Sequence, residues 1–346
     1  MKKNIDQFNF KIFESCKPVK GAKRAIICDL ERKTALLINE DLYTILTKNK
    51  NNTIAQIKSQ YGHKNNKVID DYFNYLIKHE VIFLCTVDEL ELFPEIQTHW
   101  NTPSVITNAI IDVDSESNHN FNSIFQELND LGCKDVLLRF FDNTTLVYLT
   151  RILEKLNKSS IENIELILKY SGEFDNNLNF TELKNKFQRI ASITIYDSPI
   201  NNVSPNLNST IELKFITNSL DSDTHCGFIS PNHFRFENSF FFESLNFNNC
   251  LNRKISIDKK GNLKNCPSMK DHYGNIATKT ISEVIENKKF THLWTIKKDA
   301  INKCKDCEFR YICSDCRAFT EDNSMYSKPL HCNYNPYEAA WEENSN

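Results

Sequence analysis

Cysteine is the residue type in this chain whose spacing is regular enough to do chemistry. Residues 304–316 read CKDCEFRYICSDC, which sets Cys304, Cys307, Cys313 and Cys316 at C-x2-C-x5-C-x2-C. Cys250 and Cys266 precede this run, with Gly261 between them, and Cys332 follows it. A C-x2-C step lets two thiolates share a metal while backbone N–H groups of the knuckle bond the sulfurs. Four thiolates suit either a tetrahedral zinc ion or an iron–sulfur cluster, and softness alone does not choose between them. Two closed zinc sites need eight ligands, and the spare thiol nearest to these seven is Cys226. A cluster more readily accepts an open iron or a non-cysteine ligand. The four remaining cysteines, Cys16, Cys28, Cys85 and Cys133, are scattered among apolar residues and read as buried small hydrophobes.

The composition frames that chemistry. A chain of 346 residues suits two or three domains. Its net charge of −3 supplies no global field toward nucleic acid or membrane. The N-terminal MKKNIDQFNFKIFESCK lacks a continuous apolar stretch, and runs such as Val81–Cys85 are far too short to cross a bilayer. The expectation is a soluble, cytoplasmic protein with no membrane partner. In a reducing compartment twelve cysteines favour metal ligation over disulfides.

The elements that must position these thiols fall into three stretches. Residues 1–93 show extended runs at Asn9–Glu14, Ala25–Leu30 and Ala35–Ile38, separated by KPVKG and LERK, which read as turns. Asn39 and Thr53 are placed to cap two helices, a third runs Asn66–His79, and Val81–Leu84 closes the stretch. Short strands, three helices and a wing predict a winged-helix-like module. Its Met1–Val87 segment carries 15 basic and 9 acidic residues. Residues 94–225 alternate strand and helix: Val105–Val113, Asn120–Leu131 ending at Gly132, Val136–Phe141, Thr144–Asn157, Ile161–Lys169, Thr181–Arg189, Ala191–Tyr196 and Ile211–Thr217. That rhythm predicts a parallel sheet, open or a partial barrel. Polar Asn201–Ser209 reads as loop. In residues 226–346 the pattern fades to one hairpin, ISIDKKGNLKNC, turning at Gly261 to deliver Cys266, and short helices over Ile281–Phe290 and Thr291–Ile301.

Other chemistry is thinly represented. The loop DVDSESNHN holds Asp112, Asp114, Glu116 and His119, a conceivable metal set, but it reads first as a solvated turn with an N-cap at Asn120. No phosphate-binding Gly-rich loop, G-x-S-x-G or H-E-x-x-H occurs. His272, His292 and His331 suit surface or packing roles. No catalytic residue is assigned.

Taken together, C-x10-G-x4-C, C-x2-C-x5-C-x2-C and the final cysteine resemble the SPASM domain, the auxiliary iron–sulfur module of radical S-adenosylmethionine peptide-maturing enzymes. The segments NRKISIDKKGNLKNCPSMKDHYGNI, CKDCEFRYICSDCRAF and SKPLHCNYNPY are similar to the SPASM maturase of grasp-with-spasm systems. The resemblance covers about the last hundred residues closely and the rest by architecture. It implies two 4Fe-4S clusters, the first on Cys250, Cys266 and Cys316, the second on Cys304, Cys307, Cys313 and Cys332. Where the family commonly has C-x3-C, this chain has Cys313-x2-Cys316, and no cysteine stands just upstream of Cys250.

The same resemblance implies a degenerate radical-SAM-like partial α/β barrel in the middle of an α+β and α/β multidomain chain. Its C-x3-C-x2-C loop and Gly-Gly-Glu-Pro-like turn are missing: the first strand is followed by DSESNHN and the second ends LLRFFDN. S-adenosylmethionine is therefore not expected as a cofactor. The implied partners are a precursor peptide and an ATP-grasp ligase, the peptide adding as a strand at Ala25–Leu30 or Ala35–Ile38 opposite Asn66–His79. The alternatives are a non-catalytic scaffold presenting the precursor to the ligase, and an iron–sulfur DNA-binding regulator. Enzyme status is open between maturase and scaffold.

Overall fold

The computed structural model describes residues 5–174, 177–205, 212–220 and 226–342. They form two compact units. One comprises residues 1–100, 228–249 and 296–346, the other 101–227 and 250–295. Both units draw on segments from either side of position 225, and the first runs on past position 93 to 100.

The first unit opens with β1 (Asn9–Ile12), β2 (Cys16–Lys20), β3 (Ala25–Asp29) and β4 (Thr34–Ile38). Helices α1 (Glu40–Lys48), α2 (Ile54–Tyr61) and α3 (Asn66–Lys78) follow, then β5 (Ile82–Cys85) and the single turn α4 (Val87–Leu90). Asn39 Oδ1 accepts from Leu42 N, and Thr53 forms a capping box with Gln56, as their residue types dictate. The helices bury Leu42, Ile45, Leu46, Ile54, Ile57, Ile69, Phe73 and Leu76 in one core. β1 pairs antiparallel with β5, while β2, β3 and β4 form a separate antiparallel meander in that order.

Two expectations need correction here. KPVKG belongs largely to β2 rather than to a turn. Ala25–Leu30 is no candidate edge, because Ile27 pairs with Pro18 on one side and Leu36 on the other. All five residues of β3 are buried. Ala25 and Ile27 face the helical core, whereas Ile26, Cys28 and Leu30 pack with Phe241, Phe309, Ile312 and Tyr334. A strand covered on both faces reads as an unbroken apolar run, which is what AIIC is.

The second unit is built on a sheet. Its strands are β6 (Asn108–Val113), β7 (Asp135–Phe140), β8 (Asn163–Lys169), β9 (Ile190–Tyr196), β10 (Asn202–Pro205) and β11 (Glu212–Phe215). Helices α5 (Phe121–Asp130), α6 (Leu146–Leu156) and α7 (Asn177–Lys186) lie in the connections. After α8 (Asn238–Asn246), which belongs to the first unit, β12 (Lys254–Ile257) and β13 (Leu263–Lys264) complete an eight-stranded sheet of order β10-β11-β9-β8-β7-β6-β12-β13. Its six inner strands are parallel and only the two edges are antiparallel. From β6 to β9 the strand order follows chain order, consistent with a partial barrel. Asn201–Ser209, read as loop, contains β10, and residues 206–209 lie outside the described residues.

α5 buries Phe121, Ile124, Phe125 and Leu128, and α6 buries Leu149, Ile152, Leu153 and Leu156. Gly132 follows α5 with φ +75°, the left-handed cap expected there. The β12–β13 hairpin turns at Gly261, φ +84°. Ile255 and Ile257 enter the same core as Ile111 and Leu138, which seats the hairpin as part of the sheet. Helices α9 (Ile281–Ile285) and α10 (Lys288–His292) close this unit, and β14 (Tyr334–Asn335) with β15 (Ala340–Trp341) ends the first. Among the described residues no helix is long and apolar enough to cross a membrane.

Candidate metal centre

Cys16, Cys28, Cys85 and Cys133 are each at most 2% exposed, and no disulfide joins any of the twelve cysteines. Burial pushes Cys16 up to about 11 and Cys133 up to about 12. These are inert, space-filling thiols.

The other thiols are gathered differently. Cys304, Cys307, Cys313 and Cys332 line one cavity in the first unit, together with Lys298, Arg310, Lys328 and Tyr334. Short local turns place them: a 3-10 turn runs Cys304–Asp306, Cys307 N–H bonds the Cys304 carbonyl, and Cys332 N–H bonds Pro329. The Cys313–Cys316 knuckle is held from outside. Asn249 donates to the Cys313 carbonyl at 3.0 Å and accepts from Asp315 N–H at 2.9 Å. Asp315 in turn meets Asn248 and the fully buried Arg317. Among the described residues no three His, Cys, Asp or Glu side chains converge on one ion-sized point. The quartet rings its cavity instead.

Into this cavity reaches Lys298, which carries no sequence signal in KKDA. Its side chain is buried, and Nζ donates to Cys313 Sγ at 3.0 Å and to the Ser314 carbonyl at 2.9 Å. No ion pair joins it to a carboxylate among the described residues. Burial alone would lower the Lys298 ammonium; negative charge on Cys313, Cys304 and Asp315 more than reverses that and raises it. Burial meanwhile pushes Cys304 up to about 12 and raises Cys307 and Cys313. The two tendencies conflict, since the lysine needs thiolates that burial disfavours. A metal on these sulfurs would remove the thiol protons and leave negative charge beside the ammonium.

The cavity wall is tied to the N-terminal sheet. Ala22 N–H bonds the Asp306 carbonyl at 2.7 Å, and Arg310 Nη1 bonds the Lys20 carbonyl at 2.6 Å. Arg24 Nε meets buried Glu308 at 2.6 Å, and Tyr334 Oη also donates to Glu308. Gly21 is required there: a Cβ would sit 2.7 Å from Glu308 Oε2 and 2.9 Å from Glu308 N.

Cys250 and Cys266 belong to the second unit, and Cys316 to the first, where it is buried but outside the quartet's cavity. Cys266 is hydrogen-bonded to Cys226, and this contact, ahead of burial, raises it well above the ordinary thiol range. Cys226 Sγ also lies 3.1 Å from Ser268 Oγ. Arg139 is close enough to both sulfurs to feel their charge.

The set Asp112, Asp114, Glu116 and His119 does not assemble. Asp112 takes Arg139 Nε and Nη2 at 2.7 Å each, from directly across the β6–β7 pair. His119 Nε2 bonds the Asp112 carbonyl at 2.8 Å, and Asp114 accepts from Ser117 and from Glu116 N–H. Asn120 caps α5 through Ser123 N–H. His331 stacks on Phe228, the packing role expected of it.

No family model matches the chain, and no curated protein does. Among solved structures it is similar to Streptococcus suis SuiB, in crystal structures bound to S-adenosylmethionine, without that addition, and bound to the precursor peptide SuiA. Each comparison has a TM-score of 0.32 and covers 89% of this chain and 96% of the other, at 11, 11 and 10% identity.

Proposed function

We propose that this chain works in the maturation of a ribosomally made precursor peptide, binding the peptide at its N-terminal sheet and holding an iron–sulfur cluster on Cys304, Cys307, Cys313 and Cys332. The observation that carries the metal assignment is Lys298, a buried ammonium that donates to Cys313 Sγ and is held charged by Cys313, Cys304 and Asp315. A bound cluster supplies an anionic, redox-capable centre; Lys298 balances its charge, and the Asn249 clamp holds the knuckle that presents Cys313. Zinc is the competing occupant.

Peptide binding is assigned to β4, which among the described residues has no strand on its outer side. Asn39, just past β4, bonds Tyr72 of α3, so strand and helix flank the same edge. Val68 and Ile77 of α3 are exposed, while Tyr72 and Tyr75 pack on the core. A peptide added to β4 gains backbone hydrogen bonds from the strand and side-chain contacts from α3. The partner that acts on it is an ATP-grasp ligase, as the sequence resemblance implies.

One feature favours presentation over modification by this chain. The loop after β6 holds no cysteine, and Asp112, Arg139 and His119 at its base are committed to one another. The scaffold reading follows, with the ligase making the bond. Three measurements test the proposal on the full chain. Anaerobic protein is expected to carry iron and acid-labile sulfide, whereas stoichiometric zinc without sulfide overturns the cluster. The precursor's leader is expected to bind; duplex DNA binding with a steep salt dependence and no peptide binding transfers the chain to the regulator class. Reduced protein with S-adenosylmethionine is expected to form no 5′-deoxyadenosine, and its formation overturns the scaffold reading.

A further inference from the structure

We infer that the cleft bounded by β1, β2 and the end of α1 is a docking site for an acidic–apolar peptide segment, and that the chain's own Glu95 and Ile96 fill its mouth until such a peptide replaces them. The cleft lies within the first unit, has a volume of about 320 Å³ and shares no residue with β4. Its walls set apolar side chains beside ammonium groups. Residues 10–14 line it in one continuous run, joined by Leu46 of α1, Lys17 of β2 and Lys50 just past α1. Among the described residues β1 pairs with β5 alone, which leaves its second edge to offer backbone groups to an added segment. Glu14 binds Lys17 at 3.0 Å, and Glu95 binds Lys50 at 2.8 Å. The Lys11 ammonium lines the same cleft and has no ion pair or hydrogen bond among the described residues.

The resident segment shows what chemistry the cleft takes. Among the described residues no backbone-to-backbone bond holds residues 94–98, and Pro94 has no N–H to give one. Polar side chains fasten the segment instead. Lys50 grips Glu95, Glu14 Oε2 accepts from Ile96 N–H at 3.4 Å, and Asn246 of α8 donates to the Thr98 carbonyl at 2.9 Å. Lys50 foremost, then Lys11 and Lys17, hold the Glu95 carboxyl below its ordinary range against the effect of burial. One carboxylate thus answers three ammoniums. Yet the Glu95 side chain is 67% exposed and Ile96 52% exposed, and exposed ion pairs add little to stability. A segment fastened so lightly can be displaced. A peptide with a carboxylate next to a branched apolar residue meets the same ammoniums and the same apolar wall, and it gains Lys11 as a fresh partner.

Fluorescence anisotropy on the full chain tests this. The probe is a peptide of residues 91–98, ELFPEIQT, carrying a neutral fluorophore. Glu95→Gln with Ile96→Ser loosens the resident segment, and this double variant is expected to bind the probe about tenfold tighter than wild type does, because nothing competes for the cleft. Adding Lys11→Ala to the double variant is expected to weaken binding about fivefold, as is giving the probe the same Gln and Ser changes. Equal binding by wild type and double variant overturns the inference, and so does equal binding of the two probes. Lysine acetylation of the wild-type chain, read by peptide mass spectrometry, decides the matter even where the double variant folds poorly. Excess probe is expected to slow acetylation of Lys11 severalfold. A Lys11 rate that stays unchanged, whether or not other lysines become protected, overturns the inference and leaves the proposed function standing.

Discussion

Replacing Lys298 with Met separates a cavity that holds metal from one that merely holds thiols. Met keeps much of the buried stem and removes the charge. At the 3.0 Å separation of Nζ from Cys313 Sγ, an ammonium and a thiolate attract by about 5 kcal/mol at an effective dielectric of about 20. Taking the ammonium out of water costs several kcal/mol, so the net worth of Lys298 depends on whether negative sulfur is present. In the loaded protein Lys298→Met is expected to lower stability by about 2 kcal/mol. In the reduced apo protein, where burial keeps Cys304, Cys307 and Cys313 protonated, the same change removes a buried charge left with the Ser314 carbonyl and the charge of Asp315, and is expected to raise stability by about 1 kcal/mol. Anaerobic urea unfolding of wild type and variant, each apo and loaded, measures both differences. The prediction is a change of sign. Equal destabilisation in the two states refutes the reasoning and makes Lys298 a partner of Asp315 or a packing residue.

Gly21→Ala forces a Cβ against Glu308, and is expected to cost about 1–3 kcal/mol and to weaken metal retention, because the β2–β3 turn and the Cys304–Cys313 segment share those contacts; thermal unfolding and metal analysis check it. Leu37→Pro on the free strand β4 is expected to weaken leader binding about tenfold, by loss of one backbone donor, with iron content unchanged. Ile27→Pro on the central strand is expected to unfold the first unit instead; titration calorimetry and circular dichroism separate the two. Burial would raise the Asp258 carboxyl, but bonds from Asn262 and Lys264 lower it below the usual range. Its contribution is present at neutral pH and is lost as pH falls through that lowered value. Asp258→Ala is accordingly expected to cost about 1–2 kcal/mol at pH 7 and progressively less below pH 4 in urea unfolding across pH.

Local chemistry made much of this protein legible in advance. Asn39, Thr53 and Asn120 start helices because short polar side chains satisfy the first free N–H groups. Gly132 and Gly261 end or turn elements because they take positive φ without strain. The period-3.6 apolar faces of α5 and α6 and the alternation of strand and helix announced the parallel sheet. Cys16, Cys28, Cys85 and Cys133, scattered in apolar surroundings, are buried in the core.

What the sequence determined by itself was therefore local: where helices begin, where glycine is needed, and which thiols lie close together along the chain. Tertiary structure decided the rest. It made β3 a central strand, because the run AIIC has an apolar partner on each face and its second partner, around Phe309 and Ile312, lies almost three hundred residues away. It set Lys298 against Cys313 and Cys226 against Cys266, pairs separated by 15 and 40 positions whose meeting no short motif encodes. It also spent Asp112 and His119 on Arg139 and on backbone, leaving no carboxylate–histidine site. Hydrogen bonds to neighbouring backbone follow from residue type and spacing. Burial of a charge, or the contact of two distant sulfurs, depends on how whole elements pack, and that is settled only when the chain has folded.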